Sequence, residues 1–357
     1  MSNINTTAIR ITKTEHSKIN QVDFDNIPFG RVFSDHMLVA KYSHGEWTSA
    51  EIMPFQNLEL HPAMSALHYG QAIFEGMKAY KGLQGEPLLF RPFDNFLRFK
   101  KSAERMCMAE VPEDIFMDGL KQLIELDKDW IPNKEGSSLY IRPYMFATDE
   151  YVGIKPSDNF TFIIFTCPVG AYYPEPVAVK IEENFVRAAE GGVGAAKAAG
   201  NYAASLYPNK LVTEEGYQQL IWTDAKEHKY IEESGTMNIF FVIDGKLITP
   251  DTTRDTILKG VTRRSVIALA KDNDFIVEER RVEVAEVVQA LEEGRVSEAF
   301  GAGTAATIAH ISVIGYRNKR FELSEVSTRK ISNAILAQLN DIRLGKAEDK
   351  KGWVVKI

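Results

Sequence analysis

Residues 191–206 read GGVGAAKAAGNYAASL, and the lysine of this run, Lys197, has mainly glycine and alanine as neighbours. Small neighbours leave space for a bulky molecule to touch the amine. A lysine in a confined, poorly hydrated site loses its proton readily and can then condense with a carbonyl group to form a Schiff base. A solvated lysine on a flexible loop would explain the same composition, so the run alone leaves both interpretations open.

The same glycines also raise the possibility of a phosphate-binding loop. A Walker loop requires Gly-Lys-Ser/Thr, whereas Lys197 lies between Ala196 and Ala198 and has no hydroxyl beside it for a magnesium ion. A dinucleotide loop follows an apolar strand, but the residues before Gly191 are the polar run FVRAAE. The run therefore fits neither type of nucleotide loop.

Length and composition limit the class of protein. With 357 residues, 45% apolar and 25% charged, the chain predicts an ordinary globular protein with two domains. A net charge of -7 would repel a phosphate backbone, which argues against a nucleic-acid partner. The first twenty residues lack the apolar core of a signal peptide, so we expect a cytoplasmic location.

The residue spacing indicates neither a metal site, nor a cysteine pair, nor a membrane-spanning helix. Cys107 and Cys167 are too far apart in sequence for a CxxC pair, and the seven histidines form no HxxH or HExxH pattern. We therefore predict no metal site. The longest apolar stretch, residues 160–173, contains threonine, proline and glycine and is shorter than the ~20 residues that a membrane-spanning helix needs.

Hydrophobic periodicity predicts a mixture of strands and helices along the whole chain. An Asp244-Gly245 pair between two apolar runs predicts a tight hairpin. The predicted strands are PLLFRP (87–92), SLYIRPYMF (138–146), NFTFIIFTC (159–167), VAVKIEEN (177–184) and QQLIWTD (218–224). The predicted helices are 94–108, 112–130, 202–216, 261–273, 284–294 and 327–345.

A proline-rich stretch, PVGAYYPEPVA at 168–178, suits an extended connection between domains. We predict a first domain at 1–169, an interdomain linker at 170–178 and a second domain at 179–357.

Several segments together resemble one protein family. Lys197 with Gly200, Asn201 and Tyr202 is similar to the cofactor-lysine segment of branched-chain amino acid aminotransferases of pyridoxal-phosphate fold type IV. Segments that look like the same family follow in matching order over roughly residues 28 to 345: FGRVFSDHML (29–38), LHPAMSALHYGQAIFEGMKAYKG (60–82), LYIRPYMF (139–146), CPVGAYY (167–173), ESGTMNIF (233–240), GVTRRS (260–265) and FGAGTAA (300–306).

The resemblance implies a fold and an assembly. The fold is a two-domain α/β (α+β) architecture, with a small α/β sandwich domain and a larger pseudo-barrel domain that binds pyridoxal 5'-phosphate. A homodimer is expected, with pocket residues contributed across its interface.

The resemblance also implies roles for individual residues around the cofactor. Lys197 would hold pyridoxal phosphate as a Schiff base and then move a proton, while Glu233 would lie beside the ring nitrogen and Tyr202 beside the ring oxygen. Without the resemblance, we would interpret Glu232 and Glu233 as two acidic side chains in contact with solvent. The residues that would hold the phosphate and the rest of the cofactor are Arg98, Thr236, Leu258, Val261, Thr262 and Thr304. Relatives often have proline where this chain has Lys259; because backbone amides make the contact there, we expect the site to be retained, with a less rigid turn.

The implied substrate pocket has to hold both a branched aliphatic chain and 2-oxoglutarate. By family position, Arg142 would bind the distal carboxylate, and the amides of Thr304 and Ala305 would bind the α-carboxylate. The implied apolar walls, which without the resemblance would read as core residues, are Phe29, Tyr69, Phe74, Tyr140, Ile154 and Tyr172.

The implied reaction is the transfer of the amino group of L-leucine, L-isoleucine or L-valine to 2-oxoglutarate. It gives the branched 2-oxo acid and L-glutamate in a ping-pong cycle through pyridoxamine phosphate. Two alternatives share the fold, a D-amino-acid aminotransferase and an aminodeoxychorismate lyase, and Arg142 with the aromatic walls argues against both. A non-catalytic vitamin B6 carrier would need no residue such as Glu233.

Overall fold

The computed structural model describes residues 9–170 and 175–357, which form two compact units. The first unit contains the described residues of Met1–Tyr172 together with Ala196–Ala199 and Ile342–Ile357. The second contains those of Tyr173–Ala195 and Gly200–Asp341. In the described part of the chain, no helix is long and apolar enough to cross a membrane, and no three His, Cys, Asp or Glu side chains are grouped as metal ligands.

A ten-stranded sheet runs through the first unit. Its strands are β1 (Arg10–Ile11), β2 (His36–Ser43), β3 (Glu46–Trp47), β4 (Glu51–Pro54), β5 (Ala72–Phe74), β6 (Met77–Lys81), β7 (Pro87–Phe90), β8 (Ser138–Ala147), β9 (Phe160–Val169) and β20 (Val354–Lys356). The strand order is β1-β4-β2-β9-β8-β6-β7-β20, and in addition β3 pairs with β2 and β5 pairs with β8. The strands predicted at 87–92, 138–146 and 159–167 are confirmed as β7, β8 and β9.

The strands of the second unit close on themselves. They are β10 (Val177–Ile181), β11 (Gln219–Thr223), β12 (Tyr230–Ser234), β13 (Met237–Ile243), β14 (Lys246–Pro250), β15 (Val277–Arg280), β16 (Val282–Glu283), β17 (Val296–Gly303), β18 (Thr307–Tyr316) and β19 (Lys319–Glu322). Because β12 pairs with both β11 and β13, the strands β13, β17, β18, β10, β11 and β12 form a closed ring. This ring is the predicted pseudo-barrel.

The hairpin predicted at Asp244-Gly245 is confirmed. It joins β13 to β14, and its two turn residues have φ values of 51° and 74°. Positive φ at both central positions is the geometry of a type I′ turn, which glycine and aspartate tolerate better than most residues.

Helices flank the sheets at α1 (Ser65–Tyr69), α2 (Pro92–Arg105), α3 (Gly119–Leu126), α4 (Ala199–Ala203), α5 (Leu206–Glu214), α6 (Val261–Asp272), α7 (Val284–Glu292) and α8 (Ile331–Arg343). The helices predicted from residues 94, 261 and 284 are confirmed as α2, α6 and α7. Helix α8 begins at Ile331, four residues after the predicted start, because a 3₁₀ turn occupies Val326–Thr328.

Two predicted helices are interrupted. The segment from Pro112 contains a π-helical turn at Asp114–Asp118 before α3 and a 3₁₀ turn at Lys128–Trp130 after it. The segment 202–216 is divided between α4 and α5. Pro208 explains the second interruption, because it has no N–H to donate to the carbonyl of Ala204 in a continuous helix.

The core of the first unit lies between the sheet and α2 and α3. Phe116 of the π-helical turn is fully buried, and its ring stacks on that of Phe162 in β9 at 5.6 Å and lies 5.6 Å from that of Phe99 in α2. These aromatic contacts fix α2 against the sheet, and α2 carries residues of the candidate site.

Candidate active site

The backbone of Lys197 is held by two elements of the first unit. Its N–H donates to Oγ of Ser102 at 3.0 Å, and its carbonyl accepts a bond from the N–H of Phe74, also at 3.0 Å. Ser102 lies on α2 and is buried, and Phe74 ends β5. The glycine-rich run is therefore anchored at the lysine itself, although its neighbours are small and flexible.

The side chain of Lys197 lies among aromatic and cationic groups. Its Nζ is 4.8 Å from the centroid of the Phe74 ring, and the Arg142 guanidinium is 4.6 Å from the same centroid. Nη2 of Arg142 donates to the Tyr140 hydroxyl at 2.9 Å, and the ring of Phe29 meets that of Tyr140 edge-on at 5.6 Å. The first unit thus brings together five of the predicted site residues.

Arg142 has a buried donor that the described residues do not satisfy. Its Nε has no hydrogen-bond partner among them. A buried donor without an acceptor is costly, and a guanidinium pairs best with a carboxylate. The surroundings of Arg142 therefore combine aromatic surface with a place for a negative group.

Arg98 is fixed by an acidic residue that the sequence analysis missed. Its Nε and Nη2 donate to Oε1 and Oε2 of Glu75 at 2.7 and 2.8 Å. The Glu75 side chain is fully buried, and that of Arg98 is 10% exposed. This two-point contact sets the plane of the guanidinium. An acidic residue inside the apolar run AIFEGM was the available signal for a buried ion pair.

Replacing Glu75 with glutamine should remove the carboxylate charge that pairs with the buried guanidinium of Arg98. Breaking one partner of a buried pair in this way costs about 3 kcal/mol of the free energy of unfolding. Urea denaturation followed by circular dichroism measures the effect. Glu104→Gln, on an exposed position of the same helix, is the matched control, and equal unfolding midpoints for the two variants would contradict the assigned role of Glu75.

In the second unit, Glu233 on β12 is buried, and Arg187 and Asn238 contact its carboxylate. Nε of Arg187 lies 2.8 Å from its Oε2, and Nδ2 of Asn238 donates to its Oε1 at 3.0 Å. Asn238 faces Glu233 across the β12–β13 pair, and the same Nδ2 also donates to the carbonyl of Leu258 at 2.9 Å. The predicted residues Glu233 and Leu258 are therefore joined through Asn238.

Helix α6 begins close to the contact between Asn238 and Leu258. A Cβ atom at Gly260 would lie 2.0 Å from Oδ1 of Asn238, so the close approach requires glycine. Val261 and Thr262 form the first turn of α6 and are buried. Amides in the first turn of a helix have no partner within the helix, and the helix dipole favours an anion there.

Three further predicted residues lie at the turns of the strand ring. Thr236 lies in the turn between β12 and β13, and Thr304 and Ala305 lie in the turn between β17 and β18. A Cβ atom at Gly303 would lie 3.9 Å from the carbonyl oxygen of Thr236, so the two turns are adjacent.

Arg187 is a further residue that the sequence analysis missed. Besides its ion pair with Glu233, it donates to the carbonyl oxygens of Thr256 and, at 3.2 Å, of Gly194. It thereby links Glu233 to the start of the glycine-rich run. An arginine in the polar run FVRAAE carries no sequence signal for such a role.

The remaining predicted site residues differ in how far they are exposed. Tyr202 lies half-buried on α4. Phe29, Tyr69 and Ile154 are exposed, by 40%, 42% and 92%, so the chain by itself does not bury these apolar walls. Tyr172 lies outside the described residues. Nζ of Lys259 pairs with Asp255 at 2.8 Å on the surface.

Comparison with known proteins shows what the chain resembles. Residues 72–314 match the family described as amino-transferase class IV. The chain is 42% identical over 99% of its length to branched-chain-amino-acid aminotransferase 2 of Bacillus subtilis, of which 97% is covered.

Solved structures give the same result. The crystal structure of the Escherichia coli branched-chain amino acid aminotransferase matches with a TM-score of 0.74 and 28% identity, covering 90% of this chain and 98% of that one. The holo form of the branched-chain amino acid aminotransferase from Thermobaculum terrenum, solved in its PLP form, matches with a TM-score of 0.72 over 90% of this chain and 98% of that one. At 22% identity this second likeness shows the fold alone.

Proposed function

We propose that this chain, which belongs to the class IV aminotransferases and within them to the branched-chain-amino-acid aminotransferases, transfers the amino group of L-leucine, L-isoleucine or L-valine to 2-oxoglutarate. The family resemblance and the type IV fold predicted from the sequence are confirmed. The observation that carries the substrate assignment is Arg142. Its guanidinium lies against the aromatic rings of Phe74 and Tyr140 and keeps a buried donor without a partner among the described residues.

The cofactor of the proposed reaction is pyridoxal 5'-phosphate, and several residues of the chain suit it. The small neighbours of Lys197 leave room beside the amine, Glu233 offers a buried carboxylate for a protonated ring nitrogen, and the first turn of α6 suits a phosphate. When bound, the cofactor supplies an electron sink for the negative charge that develops at the substrate Cα. The residues proposed to hold it are Lys197, Arg98, Tyr202, Glu233, Thr236, Leu258, Val261, Thr262 and Thr304.

The remaining catalytic and substrate-binding roles belong to residues of the chain. Lys197 takes the proton from the Cα of the donor amino acid in one half-reaction and delivers a proton to the Cα of the new amino acid in the other, which is general acid-base catalysis. Arg142 binds the distal carboxylate of 2-oxoglutarate or glutamate, while the aromatic side chains Phe74 and Tyr140 contact the branched aliphatic chain of the other substrate. The amides of Thr304 and Ala305 bind the α-carboxylate that both substrates share.

We also propose that the protein is a homodimer and that it is located in the cytoplasm. Phe29, Tyr69 and Ile154 are apolar walls of the proposed pocket and are exposed in the single chain, which supports their burial by a second copy. Sedimentation equilibrium measures the mass in solution, and a monomer that is fully active would contradict this assembly.

Replacing Arg142 with glutamine should separate the two substrates. A site that pairs a guanidinium with a carboxylate loses about 2 to 5 kcal/mol when the charge is removed, so kcat/KM for glutamate should fall by roughly 30-fold or more. The value for leucine should change far less, because an aliphatic chain makes no charged contact. Steady-state assays with each amino acid measure the split, and an equal loss for both would contradict the role of Arg142.

One assay distinguishes the proposed substrate from those of the other enzymes that share this fold. Release of keto acid from L-leucine, D-alanine and aminodeoxychorismate is compared on the same holoenzyme, and we expect release from L-leucine. Activity on only the last two would overturn the substrate assignment and leave the fold assignment intact.

A further inference from the structure

The side chain of Asn238 projects from β13 beside β12 and is buried, with 5% of the residue exposed. Its Nδ2 donates to Oε1 of Glu233 at 3.0 Å and to the carbonyl oxygen of Leu258 at 2.9 Å. An amide nitrogen carries two hydrogens, so these two contacts use both of them. Because a carboxylate and a carbonyl both accept hydrogen bonds, they determine which end of the amide faces them.

The other end of the amide is confined by the start of α6. A Cβ atom at Gly260 would lie 2.0 Å from Oδ1 of Asn238. Gly260 has a φ of -63° and a ψ of 133°, a conformation that any residue adopts, so space rather than backbone conformation requires glycine here. The amide of Asn238 is therefore held between β12 and the segment that leads into α6, with its donor end towards Glu233.

Two arginines act on the same carboxylate. Nε of Arg187 lies 2.8 Å from Oε2 of Glu233, and the Arg187 side chain is 9% exposed. Burial lowers the pKa of Arg263, and the carboxylates of Glu279 and Glu233 oppose that shift, so Arg263 is a second cation whose charge acts on Glu233. Nearby cations and donated hydrogen bonds both favour the ionised form of a carboxylate. Arg187, Arg263 and Asn238 therefore keep Glu233 charged.

Asn238 differs from the two arginines because it carries no charge. A cation beside Glu233 attracts the carboxylate and offsets part of the negative charge that a protonated ring nitrogen would meet. A neutral amide fixes the position of Oε1 without that offset. An asparagine confined at both ends of its amide is thus suited to orient the carboxylate that the arginines keep ionised.

We propose that Asn238 is a positioning residue of the aminotransferase reaction, which holds Oε1 of Glu233 in place for the ring nitrogen of the cofactor. It acts through Glu233 and contacts neither the cofactor nor the substrates. This role rests on the proposed function, because that function gives Glu233 its partner. Loss of the donor at Asn238 should therefore weaken cofactor binding only as long as Glu233 carries its charge.

Asn238→Asp tests the role, because it replaces the donor with an acceptor of nearly the same shape. We expect the dissociation constant of pyridoxal phosphate to rise by roughly tenfold or more, the effect of losing a hydrogen bond to a charged group. Equilibrium dialysis of the holoenzyme against decreasing concentrations of free pyridoxal phosphate measures this constant.

The matched control is Asn273→Asp at the other end of α6. Nδ2 of Asn273 also donates to a backbone carbonyl, that of Leu269 at 2.7 Å, and to a side-chain oxygen, Oε1 of Gln338 at 2.8 Å. This variant makes the same chemical change in a similar setting, away from Glu233. It should bind pyridoxal phosphate as tightly as the wild type.

The pH dependence separates a positioning role from a structural one. Asn238→Asp places a second carboxylate against Glu233, and two carboxylates at hydrogen-bond distance take up a shared proton as the pH falls. That proton restores a donor towards Glu233. The ratio of the dissociation constants of Asn238→Asp and wild type should therefore be smaller at about pH 6 than at about pH 9, whereas the ratio for Asn273→Asp should stay constant.

A double variant shows whether Asn238 acts through Glu233. In a Glu233→Gln background, Asn238→Asp should change the dissociation constant by about threefold at most, because the charge that the amide orients is already absent. Should Asn238→Asp fail to fold, Gly260→Ala keeps the asparagine and displaces its amide with the added Cβ, and it should weaken cofactor binding as well.

The role of Asn238 is overturned if Asn238→Asp and Asn273→Asp bind the cofactor alike. It is also overturned if Asn238→Asp causes the same loss with and without the charge of Glu233, or at both pH values. A wild-type chain that binds no pyridoxal phosphate would overturn the proposed function, and this role with it. A wild type that binds the cofactor and converts leucine, with both asparagine variants unchanged, would overturn only the role of Asn238.

Discussion

Replacing Lys197 with alanine is expected to lower kcat for the leucine to 2-oxoglutarate reaction by about 10⁴-fold or more. General acid-base catalysis by a positioned group contributes roughly 10²- to 10⁴-fold, and loss of the covalent anchor of the cofactor adds to it. Steady-state turnover and the content of bound cofactor in the purified variant measure the two effects separately. The variant should be folded, because Ser102 and Phe74 contact the lysine backbone, which alanine retains.

Lys210→Ala is the matched control, because it removes an exposed lysine of α5 and should leave turnover unchanged. A second measurement identifies the lysine chemically. Borohydride reduction of the wild-type holoenzyme should fix the cofactor to one peptide containing residues 191–206. A label on another peptide, or turnover by Lys197→Ala within tenfold of wild type, would contradict the assignment of Lys197.

The residues that the sequence identified at the site are those with local or familial signals. The hairpin at Asp244-Gly245 could be predicted because both residues tolerate positive φ. The strands around Arg142 could be predicted because they are long and apolar. The break between α4 and α5 was predictable in principle from Pro208, but the apolar spacing on both sides of it favoured one continuous helix.

The residues that the sequence did not identify act through contacts between distant segments. Glu75 and Arg98 are 23 positions apart and meet because aromatic packing fixes α2 against the sheet. Arg187 reaches Thr256 across 69 positions. The apolar run around Glu75 signals a buried acid but does not identify its partner, and Arg187 has no local signature, so only the folded chain reveals which charges hold Arg98 and Glu233 in place.

Closure of the strand ring is a further property that local patterns do not encode. The neighbouring strands β12 and β13 are joined by a short turn. The pairing of β10 with β18, by contrast, matches Val177 to Ile311. Such a contact is specified by the combined burial of both strands. The turns of Thr236 and Thr304 meet through another pairing of the ring, that of β13 with β17, which matches Asn238 to Ala302.

Replacing Glu233 with glutamine is expected to lower kcat by about 10²- to 10³-fold, the effect of losing one preorganised electrostatic contact in an active site. Glutamine has the shape of glutamate and can still accept the bond from Asn238, but it has no charge to stabilise a protonated ring nitrogen. The variant would therefore give less support to the electron-sink chemistry that the bound cofactor supplies. Steady-state assays at saturating leucine and 2-oxoglutarate measure kcat, and KM should change little because the proposed role of Glu233 is towards the cofactor ring and towards neither substrate carboxylate.

Glu233→Asp distinguishes charge from shape at the same position. If the negative charge is what matters, the aspartate variant should retain more activity than the glutamine variant, although its carboxylate is one methylene further from Arg187 and Asn238. Glu214→Gln, on an exposed position of α5, controls for the loss of one negative charge elsewhere in the chain. Equal activity of Glu233→Gln and wild type would mean that the buried pair with Arg187 is structural, and the role of the ring-nitrogen partner would have to be assigned to a different acid.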